Sequence, residues 1–233
     1  MLKRLRVLED SRQEFVSNVS HELKTPITSM KVLADSLISQ DDVPVELYKE
    51  FMTDIGEEID RENKIINDLL SLVKLDKNAA DLHIENKNIN ELLDQIIKRL
   101  KPIADKKKVE LVMENFKPVV AQVDETKLSL ALSNLVENAI KYNQPGGSVQ
   151  ITISRSNGKA ILRVADTGCG IPDEYRTSIF EPFFRVDKSR SREMGGAGLG
   201  LALVREIAAL HGGTVQDEPA EGAGTVFTVA LPM

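Results

Sequence analysis

The run Ser20-His-Glu-Leu-Lys-Thr-Pro26 contains a histidine that packing alone does not explain. The apolar residues around it repeat every seven positions, with a second series three places later, as in a helix packed in a bundle: Val16, Leu23, Met30 and Leu37, with Val19, Pro26 and Leu33. On this register His21 takes the outermost position, with Glu22 beside it and Thr25 one turn further along the same face. An imidazole presented to solvent beside a carboxylate is arranged to react with a molecule that arrives from outside.

Four short polar or glycine-rich elements follow later in the chain, in this order: Asn134-Leu-Val-Glu-Asn138-Ala-Ile-Lys141-Tyr142, Asp166-Thr-Gly168-Cys-Gly170, Phe180-Glu-Pro-Phe-Phe184-Arg185 and Gly196-Ala-Gly198-Leu199-Gly200. In the first element, residues three or four apart share one helical face, which offers two amide oxygens and an ammonium. Amide oxygen suits Mg²⁺, and a lysine offsets phosphate charge.

The aspartate and the glycines extend this pattern toward a nucleotide. The glycine-rich turn before Leu199 leaves backbone N–H groups at a helix N-terminus, where polyphosphate is favoured. Asp166, expected at the end of a strand, can accept a hydrogen bond from an exocyclic amine, while the two glycines after it let a base approach closely. A single Gly-x-Gly-x-Gly run is usually an ordinary turn, and this one has neither a Walker loop nor a Rossmann context. The four elements together favour a nucleotide site.

The first region of the chain must position the histidine. Up to about residue 75 the pattern is helical with one interruption at residues 40–44, which predicts a helical hairpin. The second helix carries two apolar stripes, Met52, Ile59, Ile66 and Val73 in one and Tyr48, Ile55 and Leu69 in the other, with Glu62 as the polar member of the second. Two helices cannot bury both flanks alone, so we expect a homodimer that forms a four-helix bundle.

The later region mixes strands and helices, and we expect domains at residues 1–76 and 88–233 with a hinge linker at 77–87. Strands are predicted near residues 82–85, 109–113, 119–123, 148–154, 160–165, 214–216 and 225–231. Helices are predicted at about 89–106, after an Asp124 cap to 142, at 173–180 and at 199–210. The result is an α+β chain whose second domain is an antiparallel or mixed sheet covered on one face by helices.

Composition limits the partners. The 233 residues are 42% hydrophobic with a net charge of -6, so a soluble chain is expected, without the basic field that attracts nucleic acid. The single cysteine, Cys169, excludes an internal disulfide. No apolar run approaches the roughly 20 residues of a membrane span. Because the helical pattern has no evident beginning, we expect a cytoplasmic part of a longer protein, for which a membrane anchor upstream of residue 1 is one option.

The His21 motif and the four later elements, taken in their order along the chain, resemble those of the sensor histidine kinases of two-component signalling. The resemblance covers residues 11–231. The His21 motif is similar to the subgroup with His-Glu-x-x-Thr-Pro, and the second domain resembles the Bergerat (GHKL) type of ATP-binding α/β sandwich found in DNA gyrase and MutL. The resemblance implies that the γ-phosphoryl group of ATP passes to His21 and then to an aspartate on the receiver domain of a response regulator. It also implies phosphatase activity toward that regulator.

The resemblance further implies a role for each site residue. Glu22 would orient the imidazole and take its proton, and Thr25 would position water for dephosphorylation of the regulator. Asn138 would be the Mg²⁺ ligand. The other ATP-binding residues would be Asn134, Lys141 and Arg185 near the phosphates, Tyr142 near the nucleotide, Asp166 at adenine, and Gly168, Gly170, Gly196, Gly198, Leu199 and Gly200 around the pocket.

Two other functions use the same motifs. In one, the chain is a non-catalytic dimer whose ATP domain only changes shape, although intact motifs at His21 and Asn138 argue against it. In the other, the chain is a pure ATPase that releases phosphate rather than holding it on histidine. The remaining histidines, His83 and His211, have no carboxylate or cysteine clusters around them, and we interpret them as a linker residue and a helix end.

Overall fold

The computed structural model describes residues 2–39, 43–77, 82–114, 117–186 and 196–233. They form two compact units. The first contains the chain up to Leu70, and a short stretch around Gly196 is grouped with it. The second begins at Ser71 and contains the rest of the described chain.

A helical hairpin forms the first part of the chain, as predicted. Helix α1 spans Leu2–Ile38 and contains Pro26, and helix α2 spans Val45–Lys77. The carbonyl of Pro44 accepts the N–H of Tyr48 at 3.0 Å, so the proline lies directly before α2. Residues 40–42 of the predicted interruption lie outside the described residues.

The second apolar stripe of α2 is buried only toward its C-terminal end, since Tyr48 is 51% exposed and Ile55 is half-buried. Leu69 is buried, and so is Glu62, whose pKa is raised by burial and by the nearby Glu58, against the effect of Arg61. The other stripe is between 39% and 46% exposed at Met52, Ile59, Ile66 and Val73. In a single chain, one apolar stripe of α2 is therefore left open to solvent.

The second unit is built from seven strands and three helices in the described residues. The strands are β1 Glu85–Asn88, β2 Glu110–Glu114, β3 Val120–Val123, β4 Ser148–Ser156, β5 Lys159–Asp166, β6 Thr214–Pro219 and β7 Thr225–Pro232. The helices are α3 Ile89–Lys107, α4 Glu125–Lys141 and α5 Gly200–Leu210. Five strands form one sheet in the order β2-β4-β5-β7-β6, in which β2 and β4 are parallel and the other pairs antiparallel. Strands β1 and β3 form a separate antiparallel ribbon.

The core of this unit lies between the larger sheet and its helices. Side chains of β5 alternate between buried and more exposed, and all three helices contact the sheet. The largest fully buried side chains come from both layers and include Leu93, Leu132, Leu135, Ile151, Leu162 and Leu203. This mixed sheet with helices packed against it agrees with the predicted fold class.

Local sequence signals agree with the structure at some elements and not at others. Asn157 and Gly158 have φ values of +50° and +74°, the conformation of a two-residue hairpin turn. The predicted helix at 173–180 is wrong, because only one 3₁₀ turn forms, at Asp173–Tyr175. The backbone then continues in turns, and the Arg176 side chain binds the carbonyl of Ile171 and the carboxylate of Asp217 on β6. The strand predicted at 82–85 lies at 85–88, where it pairs with β3.

Candidate functional site

The first group of predicted site residues lies on α1. His21 and Thr25 are exposed, and Glu22 is half-buried. The Thr25 hydroxyl donates a hydrogen bond to the carbonyl of His21 at 3.1 Å. Because Pro26 has no N–H, the carbonyl of Glu22 lacks its usual helical donor. The imidazole therefore stands at solvent, on a turn of helix whose backbone hydrogen bonding is altered just beyond it.

Helix α4 carries the two asparagines of the first polar element. Asn134 is buried, and its amide nitrogen donates to the carbonyl of Leu130 at 3.0 Å. Asn138 is half-buried, and its side chain makes no hydrogen bond to the residues that the structure describes. The ammonium of Lys141 lies 5.2 Å from the centre of the Tyr142 ring. One amide of the pair is thus fixed by the helix, while the other is open to a ligand.

The end of α4 is joined to the loop after β5. The Tyr142 carbonyl accepts the N–H of Cys169 at 3.2 Å. A Cβ atom at Gly168 would collide with that same carbonyl, so the close approach requires glycine. This contact brings the loop after Asp166 against the end of the helix that bears Asn138.

Asp166 ends β5 as a buried carboxylate. One of its oxygens accepts the N–H of Gly168 at 2.9 Å and the N–H of Thr225 at 3.3 Å. Burial raises the pKa of Asp166 above its ordinary value, and these two hydrogen bonds oppose the rise. No described residue donates to its second oxygen, which is available to accept a hydrogen bond from a ligand.

The glycine-rich turn before α5 is packed against α4. A Cβ atom at Gly200 would lie 2.7 Å from the side-chain oxygen of Asn134. Gly198 has a φ of +73°, and a Cβ atom there would lie 2.7 Å from the carbonyl of Phe184. The N–H of Phe183 donates to the Gly198 carbonyl at 3.0 Å. The N-terminus of α5 therefore begins beside Asn134, where an anion would meet unpaired backbone N–H groups.

Most of the predicted nucleotide-binding residues thus lie in the second unit. Several of them contact one another, as Gly168 contacts Tyr142 and Gly200 contacts Asn134. Arg185 is half-buried and Leu199 is buried. Gly170 has a φ of +71° and lies beside the backbone of Gly224. Gly196 is instead grouped with the first unit, which also contains His21.

Sequence reasoning missed residues that support the carboxylate. Thr225 binds Asp166 through its backbone, and a Cβ atom at Gly224 would collide with the Asp166 carbonyl. The Gly222-Ala-Gly224-Thr225 run before an apolar strand was the available signal. Buried Asn143 was also missed: its amide nitrogen donates to the Ser148 carbonyl at 2.9 Å, and its oxygen accepts the Gln144 N–H at 3.0 Å.

No group of three or more histidine, cysteine, aspartate or glutamate side chains in the described part of the chain could hold a metal ion. None of the described helices combines the length and apolar character of a membrane span.

Two known protein families have sequence models that match this chain. Residues 11–78 match the model of the His Kinase A (phospho-acceptor) domain. Residues 123–233 match the model of the histidine kinase-, DNA gyrase B- and HSP90-like ATPase. The two models cover most of the chain, in the order that the motifs predict. The chain belongs to the sensor histidine kinase family.

Individual members of this family extend the similarity over the full chain. The sensor-like histidine kinase SenX3 of Mycobacterium tuberculosis is 37% identical over 225 residues, which is 97% of this chain and 55% of SenX3. The chain therefore spans about half the length of this curated relative.

Two solved structures have the same fold over nearly the whole chain. The histidine kinase ThkA, in complex with the response regulator protein TrrA, gives a TM-score of 0.78 at 25% identity, over 99% of this chain and 63% of ThkA. Full-length ShkA in complex with AMPPNP gives 0.69 at 29% identity, over 94% of this chain and 45% of ShkA.

Proposed function

We propose that this chain is the catalytic core of a protein-histidine kinase, in which ATP held by residues 88–233 phosphorylates His21 within residues 1–76, across a hinge linker at 77–87. One observation carries the proposal. The chain combines an exposed imidazole on α1 with a separate unit in which buried Asp166 and open Asn138 offer ligands to the two ends of a nucleotide. The order of motifs in the sensor histidine kinase family supports the same division of labour.

The adenine end of ATP would bind at Asp166. Its second carboxylate oxygen can accept a hydrogen bond from the exocyclic amine, while Gly168 and Gly170 leave room for the ring. Tyr142 would lie near the nucleotide. That ShkA was solved with AMPPNP supports an adenine nucleotide as ligand.

The phosphate end would bind between α4 and the start of α5. Asn134, Lys141 and Arg185 would contact the phosphates, with backbone N–H groups after Gly196, Gly198, Leu199 and Gly200. The residues fit a magnesium ion because the Asn138 amide is open and Mg²⁺ accepts one or two protein oxygens together with substrate phosphates. When bound, Mg²⁺ would neutralise charge on the phosphates and so favour phosphoryl transfer.

The transfer step exchanges one bond for another. A neutral ring nitrogen of His21 attacks the γ-phosphorus, the bond from that phosphorus to the β–γ bridging oxygen breaks, and ADP leaves. Glu22 would orient the ring and take the proton from its other nitrogen. Because the reacting atoms must approach to roughly 3 to 3.5 Å, the hinge linker must bring the nucleotide to His21.

The phosphoryl group would then pass to an aspartate of a response regulator receiver domain. ThkA was solved in complex with the response regulator protein TrrA, which supports a partner of this type. We propose phosphatase activity toward the same regulator, with Thr25 positioning water on the face that carries His21. Its hydroxyl proton is directed to the His21 carbonyl, so its oxygen remains as an acceptor for that water.

The assembly would be a homodimer. The open stripe of Met52, Ile59, Ile66 and Val73, together with Val16 at 56% exposure, is the apolar surface that a four-helix bundle would cover. The net charge of -6 supports no nucleic-acid partner. We propose a cytoplasmic location for this core.

Incubation with γ-labelled ATP and Mg²⁺, followed by acid and base treatment, tests the proposal. We expect protein-bound label that survives base and is lost in acid, because a phosphorus–nitrogen bond is acid-labile. Release of labelled phosphate without protein-bound label would instead indicate a pure ATPase. Binding of ATP with neither outcome would indicate a non-catalytic switch.

A further inference from the structure

The last residues of the linker lie in β1, which pairs with β3 in the small ribbon. Glu85 of β1 lies opposite Val123 of β3, the residue directly before Asp124. Two residues before β1, the backbone N–H of His83 donates to the Asp124 carboxylate at 3.2 Å. The end of the linker is therefore attached at the start of α4, the helix whose far end carries Asn138.

Asp124 divides its two oxygens between the helix and the linker. Oδ1 caps α4 by accepting the N–H of Lys127 at 3.0 Å. Oδ2 accepts the His83 N–H and the Lys127 ammonium, the latter at 2.6 Å. Burial acts to raise the pKa of Asp124, but the hydrogen bonds from Lys127 and His83 outweigh it, so that the pKa is below its ordinary value. The group facing the linker is thus a carboxylate at neutral pH.

The backbone of Asp124 is fixed from behind. Its N–H donates to Nε2 of His211 at 2.9 Å, and Nδ1 of the same ring lies 2.8 Å from the Ile207 carbonyl. These contacts require a neutral ring that carries its proton on Nδ1. His211 follows α5 directly, so the carboxylate that holds the linker is tied to the ends of two helices of the ATP-binding unit.

A second contact ties the same strand to the same helix end. The ammonium of Lys87 on β1 lies 2.7 Å from the carboxylate of Glu125 and 2.9 Å from that of Glu85. All three side chains are at least partly exposed, so this bridge contributes little by itself. The buried Asp124 is the stronger of the two attachments.

We propose that Asp124 is the anchor that fixes the linker to the ATP-binding unit and is thereby a positioning residue for phosphoryl transfer to His21. This inference rests on the proposed function. With His83 released, residues 83 and 84 would lengthen the linker ahead of β1 by about 7 Å. A longer tether lowers the effective concentration of the bound nucleotide at its acceptor. Nucleotide affinity is unaffected, because the far end of α4 is unchanged.

The substitution Asp124→Asn separates the two roles. The amide oxygen still caps α4, since asparagine and aspartate cap helices equally well. Its NH₂ group then faces the His83 N–H, donor against donor. We expect hydrogen exchange at the His83 amide to become at least tenfold faster while the Lys127 amide stays protected. Autophosphorylation at saturating ATP should slow about twofold, with the KM for ATP unchanged.

Two further variants complete the test. Lys127→Met keeps the carboxylate facing His83, so the protection of His83 and the rate should both stay close to wild type. Asp124→Ser keeps one capping oxygen and loses the second acceptor, so it should give the same result as Asp124→Asn. It takes the place of Asp124→Asn in the test if the asparagine variant folds poorly.

Three results would overturn the anchor: fast exchange at His83 in the wild-type chain, unchanged exchange and rate in both Asp124 variants, or a raised KM in place of a slower rate. Failure of the proposed function is distinct, because a wild-type chain that never labels His21 still reports the anchor through the exchange of His83.

Discussion

The hairpin and the ATP-binding unit organise their polar residues in opposite ways. In the second unit, Asn134 and Asp166 are buried and hydrogen-bonded to neighbours from the same chain. On the hairpin, His21 and Thr25 are exposed, and an apolar stripe of α2 is exposed as well. One region holds its polar residues in place through its own fold, whereas the other exposes its polar and apolar groups to solvent.

Function and stability are therefore coupled in the second unit and largely separate on the hairpin. A substitution at an exposed hairpin residue removes chemistry but few folded-state contacts, so stability should barely change. A substitution at a buried residue of the second unit alters both binding and folding.

The largest effect is expected for His21→Gln. The variant has no acceptor nitrogen, so labelling by γ-labelled ATP should fall to background. Because the side chain is exposed, the melting temperature and the ATP affinity should match those of wild type. His83→Gln changes another exposed histidine and should label normally. Acid-labile label that persists on His21→Gln would refute the assignment of the acceptor.

Gly224→Ala should damage the second unit most. Its Cβ atom would collide with the backbone carbonyl of Asp166, at a φ of +108°. Strain and overpacking together predict a loss of about 3 kcal/mol in the free energy of unfolding. Gly222→Ala in the same loop shares the positive φ but meets nothing within 4 Å, so it should cost only about 1 to 2 kcal/mol. Equal losses in urea unfolding of the two variants would remove the packing argument.

Asn138→Ala should affect binding far more than folding. Loss of the metal-facing amide should weaken Mg²⁺-ATP binding by roughly 100-fold in calorimetry and abolish labelling. The side chain has no hydrogen bond to the described residues, so the nucleotide-free melting temperature should hardly move. Asn86→Ala, at an exposed position of β1, should leave affinity intact. Normal affinity in Asn138→Ala would show that the amide does not face the phosphates.

Asp166→Asn should lower ATP affinity about tenfold through the lost charged hydrogen bond. It should also change how stability depends on pH. Burial raises the folded-state pKa of Asp166, so its stabilising contribution is present below the ordinary value of 3.8 and is lost as pH rises through the raised value. The Asn variant should therefore have a flatter profile and a higher unfolding free energy at neutral pH. Asp94→Asn, at an exposed position of α3, should change neither profile nor affinity.

How far the sequence could predict this molecule depends on the range of the interactions. The hairpin helices and the Asp124 cap are set by periodicity or by neighbouring residues, and these predictions agree with the structure. The helix at 173–180 was predicted wrongly: most of the backbone hydrogen bonds there join an N–H group to the carbonyl three residues earlier, which gives turns in place of an α-helix.

The supports of the site were the hardest part to predict. Thr225 acts through a backbone N–H, which carries no mark of residue type. His211 meets Asp124 across 87 residues, so only the folded chain shows why that histidine is buried. The pattern of the sequence was enough to identify the glycines that the resemblance assigned to the pocket. It could not show which atoms leave no room for a side chain at Gly168, Gly198 and Gly200.

Mapping the phosphorylated residue by tandem mass spectrometry at neutral pH tests the central claim most directly. After incubation of the wild-type chain with Mg²⁺-ATP, we predict a phosphoryl group on the peptide that contains His21, localised to the imidazole. Phosphate on any other residue, or hydrolysed ATP with an unmodified His21 peptide, would contradict the account.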